Sequence, residues 1–181
     1  MRNRPAAAAL LLAATALAAG CNSSDEPTPP DFTISAPPTA QYLETAEATV
    51  VRGAELDPGD REALAAAYSE SLLKQTDEAE AQMKEQGITT KGKNEVLWTK
   101  PGRYEKPDVG EEQTTVEACV ERNIQAFDKD GNDITGDQQG KPLEKGAKTL
   151  IQYTLTTPDE GETWLIDSWT EQGTCTAEQQ S

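Results

Sequence analysis

At Gly87 the recurrence of apolar residues changes period, and that change constrains the fold more than any other feature of the chain. Before it, Tyr42, Leu43, Ala46, Val50 and Ala54 return at spacings of three and four, which puts them on one helix face. Asp57-Pro58-Gly59-Asp60 interrupts with turn chemistry, and Asp60 is placed to cap a second helix running through Leu64, Tyr68, Leu72 and Leu73 toward Met83. Gly87 is the natural stop of that helix. Beyond it the period is two. Val96 and Trp98 sit in a short alternating run, then Val116, Ala118, Val120, Ile124 and Ala126 alternate with Glu117, Cys119, Glu121 and Asn123. Thr149, Ile151, Tyr153 and Leu155 follow, and Trp164 and Ile166 come after the turn Pro158-Asp159-Glu160-Gly161. A helical half followed by an antiparallel meander predicts an α+β domain, with the N-terminal helices packed on the concave face of a curved sheet.

The start of the chain has a different logic. Arg2 and Arg4 form a short basic head, Ala6 to Ala19 is a run of small and apolar residues, and Leu17-Ala18-Ala19-Gly20-Cys21 closes it. About 14 apolar residues make a signal-peptide core and fall short of the roughly 20 that cross a bilayer as a helix. The closing string resembles a bacterial lipobox, in which small residues fit the peptidase and the following thiol receives diacylglycerol. Residues 1–20 are therefore read as a lipoprotein signal peptide and Cys21 as the lipidated residue. An ordinary Ala-x-Ala cleavage, leaving Cys21 a free thiol, is the competing reading.

Residues 21–39 carry five prolines, several hydroxyls and almost nothing apolar, a composition that cannot offset its ordering entropy; the expectation is a disordered tether. Residues 40–176 then form one domain, and 177–181 a polar tail. Loss of the leader removes Arg2 and Arg4 but no acid, so the mature chain carries a formal charge of −18. Such a surface repels phosphate backbones and anionic headgroups, which argues against nucleic acid as a partner and against flat adsorption on a membrane. The lipid on Cys21 would do the holding, on the extracytoplasmic face.

With Cys21 spent on the lipid, Cys119 and Cys175 are an even pair in an oxidising compartment and are expected to be bonded. A metal-binding or catalytic pair is disfavoured: there is no Cys-x-x-Cys spacing, and the chain has no histidine. Asp128-Lys129-Asp130-Gly131-Asn132-Asp133 imitates the start of a calcium loop, but Asp133 stands where glycine is required and Gln139 where the bidentate glutamate belongs. It reads as a hairpin turn in which Asp130-Gly131 supplies the left-handed conformations. No metal and no cofactor are called for.

The strings GITTKG (Gly87 to Gly92), VEACVERN (Val116 to Asn123), FDKDGNDI (Phe127 to Ile134) and WLIDSWTEQGTC (Trp164 to Cys175) resemble a functionally uncharacterised group of actinobacterial secreted proteins and lipoproteins with an NTF2-like, cystatin-like α+β roll. The resemblance spans about Ala40 to Cys175. It implies the roll, the export route and the Cys119–Cys175 bridge, and no activity. Relatives carry Asp two residues after the strand cysteine, where this chain has Glu121.

Such rolls also host enzymes, so any activity must rest on particular residues. Without histidine the usual acid/base group near neutral pH is missing. An isomerase of the ketosteroid type needs a carboxylate base in an apolar cavity with a tyrosine or a protonated acid as donor, and Asp167, Glu121, Tyr153 and Tyr104 are the candidates. Each also has a plain reading as a solvated or ion-paired strand residue. The aromatic set Trp98, Tyr153, Trp164 and Trp169 can line a pocket or simply fill the core. The expectation is a membrane-anchored, extracytoplasmic lipoprotein that acts as a non-catalytic interaction or accessory module with an envelope protein as partner. The alternative is a carrier that binds a small apolar ligand in the roll, and an enzyme comes third.

Overall fold

The computed structural model describes residues 40–137 and 140–177. The expected signal peptide, Cys21, the expected tether, Gln139 and the last residues of the tail lie outside the described residues. Within them the chain forms helices α1 (Ala40–Ala54), α2 (Arg61–Ala65) and α3 (Glu70–Glu85), and strands β1 (Thr89–Lys91), β2 (Glu95–Glu105), β3 (Glu112–Arg122), β4 (Gln125–Phe127), β5 (Ala147–Thr157) and β6 (Leu165–Thr174). The class is α+β, as expected. β2, β3, β5 and β6 make a four-stranded antiparallel meander in that order, and β1 pairs with β4 in a separate two-stranded ladder. Register shifts at Val96/Trp98, Pro101/Tyr104, Leu150/Ile151 and Thr154/Leu155 bend the main sheet.

α1 spans the sheet because its apolar stripe matches the inward parity of the strands. Ala46 and Val50 are fully buried against Val116, Ala118 and Val120 of β3 and Ile151, Tyr153 and Leu155 of β5. Its polar residues reach the edge strand: Glu47 accepts from the Thr99 hydroxyl at 2.6 Å, and Glu55 from the Val96 N–H at 3.0 Å. Those contacts occupy backbone and side-chain groups of β2 that would otherwise present an open sheet edge.

Two elements depart from the expected boundaries. The helix expected from Asp60 toward Met83 is two helices. Asp60 does cap α2, accepting from the Ala63 N–H at 3.1 Å, but the chain then leaves helical geometry. Ile166 donates to the Ala67 carbonyl and Ser69 donates to the Ile166 carbonyl, each at 2.8 Å, so this stretch makes a one-residue parallel bridge on the edge of β6. Ser69 then caps α3. That helix ends as expected: Gly87, at φ 71°, donates to Lys84 while Ile88 donates to Met83, the paired bonds that close a helix through a left-handed glycine.

The long alternating run from Val116 to Ala126 is also divided. β3 stops at Arg122, because the N–H groups of Asn123 and Ile124 both donate to the Asn94 side-chain oxygen, at 3.1 and 3.3 Å, instead of to a neighbouring strand. The Asp128 to Asp133 segment is a turn closed by its own side chain: Asp128 Oδ1 accepts from the N–H of Asp130 and Asn132. Of Asp130 and Gly131, Gly131 alone is left-handed, with φ 83°.

Cys119 and Cys175 are bonded, with Cα atoms 5.8 Å apart across a sequence separation of 56. Closing a loop of that size is worth about 4 kcal/mol on the chain-entropy estimate. The bridge sits with Trp98 on the sheet face opposite α1, where Leu97 and Leu150 cover it. The Trp98 indole donates to the Thr176 carbonyl at 2.8 Å. Both faces of the sheet are thereby occupied. On the α1 face Trp164 is 1% exposed and meets Tyr42 edge-on, with ring centroids 5.6 Å apart. A side chain this enclosed fills the core, so Trp164→Ala is expected to cost about 3–5 kcal/mol and to lower the melting temperature by at least about 10 °C. A thermal melt showing a drop of only a few degrees would contradict the filled core.

Candidate functional site

The four aromatic residues considered for a pocket do not gather in one. Trp98 belongs to the disulfide cluster and Trp164 to the closed end of the core. Tyr153 and Trp169 do share a cavity. They are direct partners in the β5–β6 register, so both project to the α1 side, and Trp169 stands at the rim with 37% of its surface exposed.

That cavity has a volume of about 230 Å³. Its walls come from the C-terminal end of α1 (Gly53, Ala54), from Leu56, from Leu64 of α2, and from Tyr68. Its floor is Ile151 and Tyr153 of β5, and its outer wall is Asn94, Arg122 and Ile124. A second cavity of about 400 Å³ shares Pro58, Thr76 and Trp169 with it and continues along α3. Leu72, Thr76, Ala79 and Met83 follow one another at helical spacing, and of α3 only Leu72 is buried. The remainder of that apolar stripe faces the groove instead of protein.

Three polar groups converge on the inner cavity. Tyr153 is 6% exposed, yet its hydroxyl finds no hydrogen-bond partner among the described residues. No fully enclosed side-chain polar atom there lacks a partner, so this hydroxyl opens to the cleft. Burial pushes its pKa up, which keeps it a protonated donor. Asn94 spends its oxygen on the two backbone N–H groups that end β3, leaving its amide nitrogen for the cavity. Arg122 binds Glu171 at 2.6 Å through Nη1 and keeps its other N–H groups.

At the far end of the sheet lies a second polar cluster. Glu112 is 7% exposed and accepts from the hydroxyls of Tyr42 and Tyr104 and from the Lys106 ammonium. Burial alone would push its carboxyl up, but the three donors more than offset this and hold it below its ordinary value. Burial and the Glu112 carboxylate raise both tyrosines. With every donor committed to one carboxylate, this arrangement fastens α1 to the β2–β3 hairpin.

The residues weighed for catalysis are spread apart. Tyr104 is on Glu112, Asp167 accepts from the Ser69 hydroxyl at 2.7 Å, and Glu121 accepts from the Asn123 amide at 3.3 Å. Arg122 pairs with Glu171 and with neither Glu121 nor Asp167. The polar groups that do converge include two that the aromatic pattern missed, Arg122 and Asn94. A signal for Arg122 was present, since it continues the inward parity of Val116, Ala118 and Val120.

No family model and no curated protein matches the chain. Among solved structures, the intermembrane-space region of the chloroplast protein ARC6 is similar at 12% identity, covering 74% of this chain and 93% of that one with a TM-score of 0.43. A periplasmic fragment of TraM is similar at 10% identity, covering 73% and 95%, also with a TM-score of 0.43.

A carboxylate whose pKa is lower in the folded than in the unfolded chain stabilises the fold above the ordinary value of 4.5 and loses that contribution as pH falls through the folded value. Glu112→Gln is therefore expected to melt below wild type at neutral pH, with the gap closing between about pH 5 and pH 3. Parallel thermal melts across that range check it, and a gap constant with pH would contradict the assignment.

Proposed function

We propose that this chain is an extracytoplasmic lipoprotein, held to the outer face of the cell membrane by a diacylglyceryl group on Cys21. Its NTF2-like domain binds a small apolar ligand in the cleft beneath Trp169 and catalyses nothing. One observation carries the reading: a tyrosine buried to 6% exposure whose hydroxyl is left without a partner among the described residues and opens into an apolar cavity. A cleft walled mainly by apolar side chains, with a few polar groups converging on it and free to meet a ligand, is the form small-molecule sites take.

The accessory-module reading draws less support. Among the described residues the exposed large apolar side chains are Val109, Ile134 and Trp169, far fewer than a protein-docking face requires. The separation of Asp167, Glu121, Tyr104 and Tyr153 supports binding over catalysis. Export is supported by the leader and by the Cys119–Cys175 bridge, which suits an oxidising compartment and leaves Cys21 as the one thiol of the three outside that pair.

Two experiments test this. Replacing Cys21 with Ser is expected to move the protein from the membrane to the soluble fraction and to abolish labelling by a metabolic lipid precursor; a variant that still pellets with membranes overturns the anchor. For the cleft, the purified mature protein is titrated with an environment-sensitive naphthylamine dye. Thr76 borders both cavities, so the bulk of an indole introduced by Thr76→Trp intrudes on them. Dye fluorescence should rise with wild type and be lost with Thr76→Trp. Equal binding by the two, or none by wild type, overturns the binding function.

A further inference from the structure

Resting on that reading, we infer that the ligand is an acyl compound, a chain that lies in the groove along α3 with its carbonyl or carboxyl oxygen at Tyr153, Asn94 and Arg122. Of the polar groups of the inner cavity, the Tyr68 and Thr76 hydroxyls spend their protons on the Gly53 and Leu72 carbonyls, and the other three offer donors. Asn94 has spent its acceptor on the backbone, Arg122 has none to give, and the Tyr153 hydroxyl has its proton left to donate. A group that satisfies all three must accept hydrogen bonds, as a carbonyl or carboxyl oxygen does, whereas an ammonium head would bring three more donors beside a guanidinium.

The charge of Arg122 is already matched by Glu171 at 2.6 Å, so the head needs no full negative charge and an ester serves as well as an acid. The rest of the ligand follows from the shape of the cleft. The inner cavity of about 230 Å³ is too small for a bulky ring system together with a head, and Pro58, Thr76 and Trp169 border both it and the neighbouring groove of about 400 Å³. An elongated apolar body lying beneath that indole covers the part of Leu72, Ala79 and Met83 that no described element covers, with Gln75, Glu80 and Thr90 at its borders.

Displacement of the bound naphthylamine dye from the purified mature protein tests this with three probes of one chain length: dodecanoic acid, its methyl ester and dodecylamine. The acid and the ester should displace the dye, and the amine should require at least about tenfold more. Tyr153→Phe keeps the buried ring and removes only the donor, so it should bind both acyl probes about tenfold more weakly relative to dodecylamine, the worth of one hydrogen bond. Trp169→Ala, at the exposed rim, should weaken the acyl probes while the melting temperature stays within a few degrees of wild type. Dye binding with the amine as effective as the ester, or acyl affinity unchanged in Tyr153→Phe, overturns the acyl assignment and leaves the binding function standing. Failure of wild type to bind dye overturns both.

Discussion

Much of this architecture depends on a carboxylate enclosed where strands β2 and β3 turn. Glu112 lies on the inward parity of β3, in phase with Thr114 and Val116, and a buried charge there is tolerable only with donors on all sides. It receives them from three directions: Tyr104 and Lys106 from β2 and beyond it, and Tyr42 from α1. Satisfying Glu112 therefore requires the helix to sit at one place along the sheet. The other contacts of that end follow. The Tyr42 ring meets Tyr104 and Trp164 edge-on, and its backbone carbonyl takes the Trp164 indole N–H at 3.2 Å. Gly161, at φ 88°, lets the β5–β6 turn lie against the same ring, where a Cβ would fall 2.2 Å from a Tyr42 carbon.

The sheet makes unequal use of its two faces. Odd positions of β3 carry Cys119 to the outer side, where the disulfide and Trp98 form a small core of their own; even positions carry Val116, Ala118 and Val120 to α1. Closing the outer side with a covalent bond leaves the helical side to be shaped by α1, α2 and α3. α1 covers most of that side. α3 instead packs on β6, and the gap between the two helices is the cleft.

How far this was legible from residues alone differs from element to element, for physical reasons. α1 was readable because its spacing is local and its partner face is simply apolar. The division between α2 and α3 was not, because Ala66 to Ser69 contains neither glycine nor proline. What straightens it is pairing with Ile166, almost a hundred residues away, which no local pattern carries. The end of β3 was hidden for a similar reason: Asn123 and Ile124 keep the alternation, and only the Asn94 side chain takes their N–H groups out of the ladder. At the site, Tyr153 and Trp169 stood out as aromatics on strands. Arg122 and Glu112 were equally visible as charged residues at inward-facing positions, and a charge on the apolar parity of a strand is the more informative of the two signals.

The two polar clusters flank opposite ends of α1. Tyr42, two residues after the helix begins, is fastened to Glu112, while Gly53 and Ala54, where it ends, border the cleft. Eleven or twelve helical residues put about 17 Å between them. A pull arriving through the segment before Ala40 thus acts first on the hydroxyl–carboxylate bond and on the aromatic stack around Tyr42, and it is opposed there before any strain reaches the last turn of the helix.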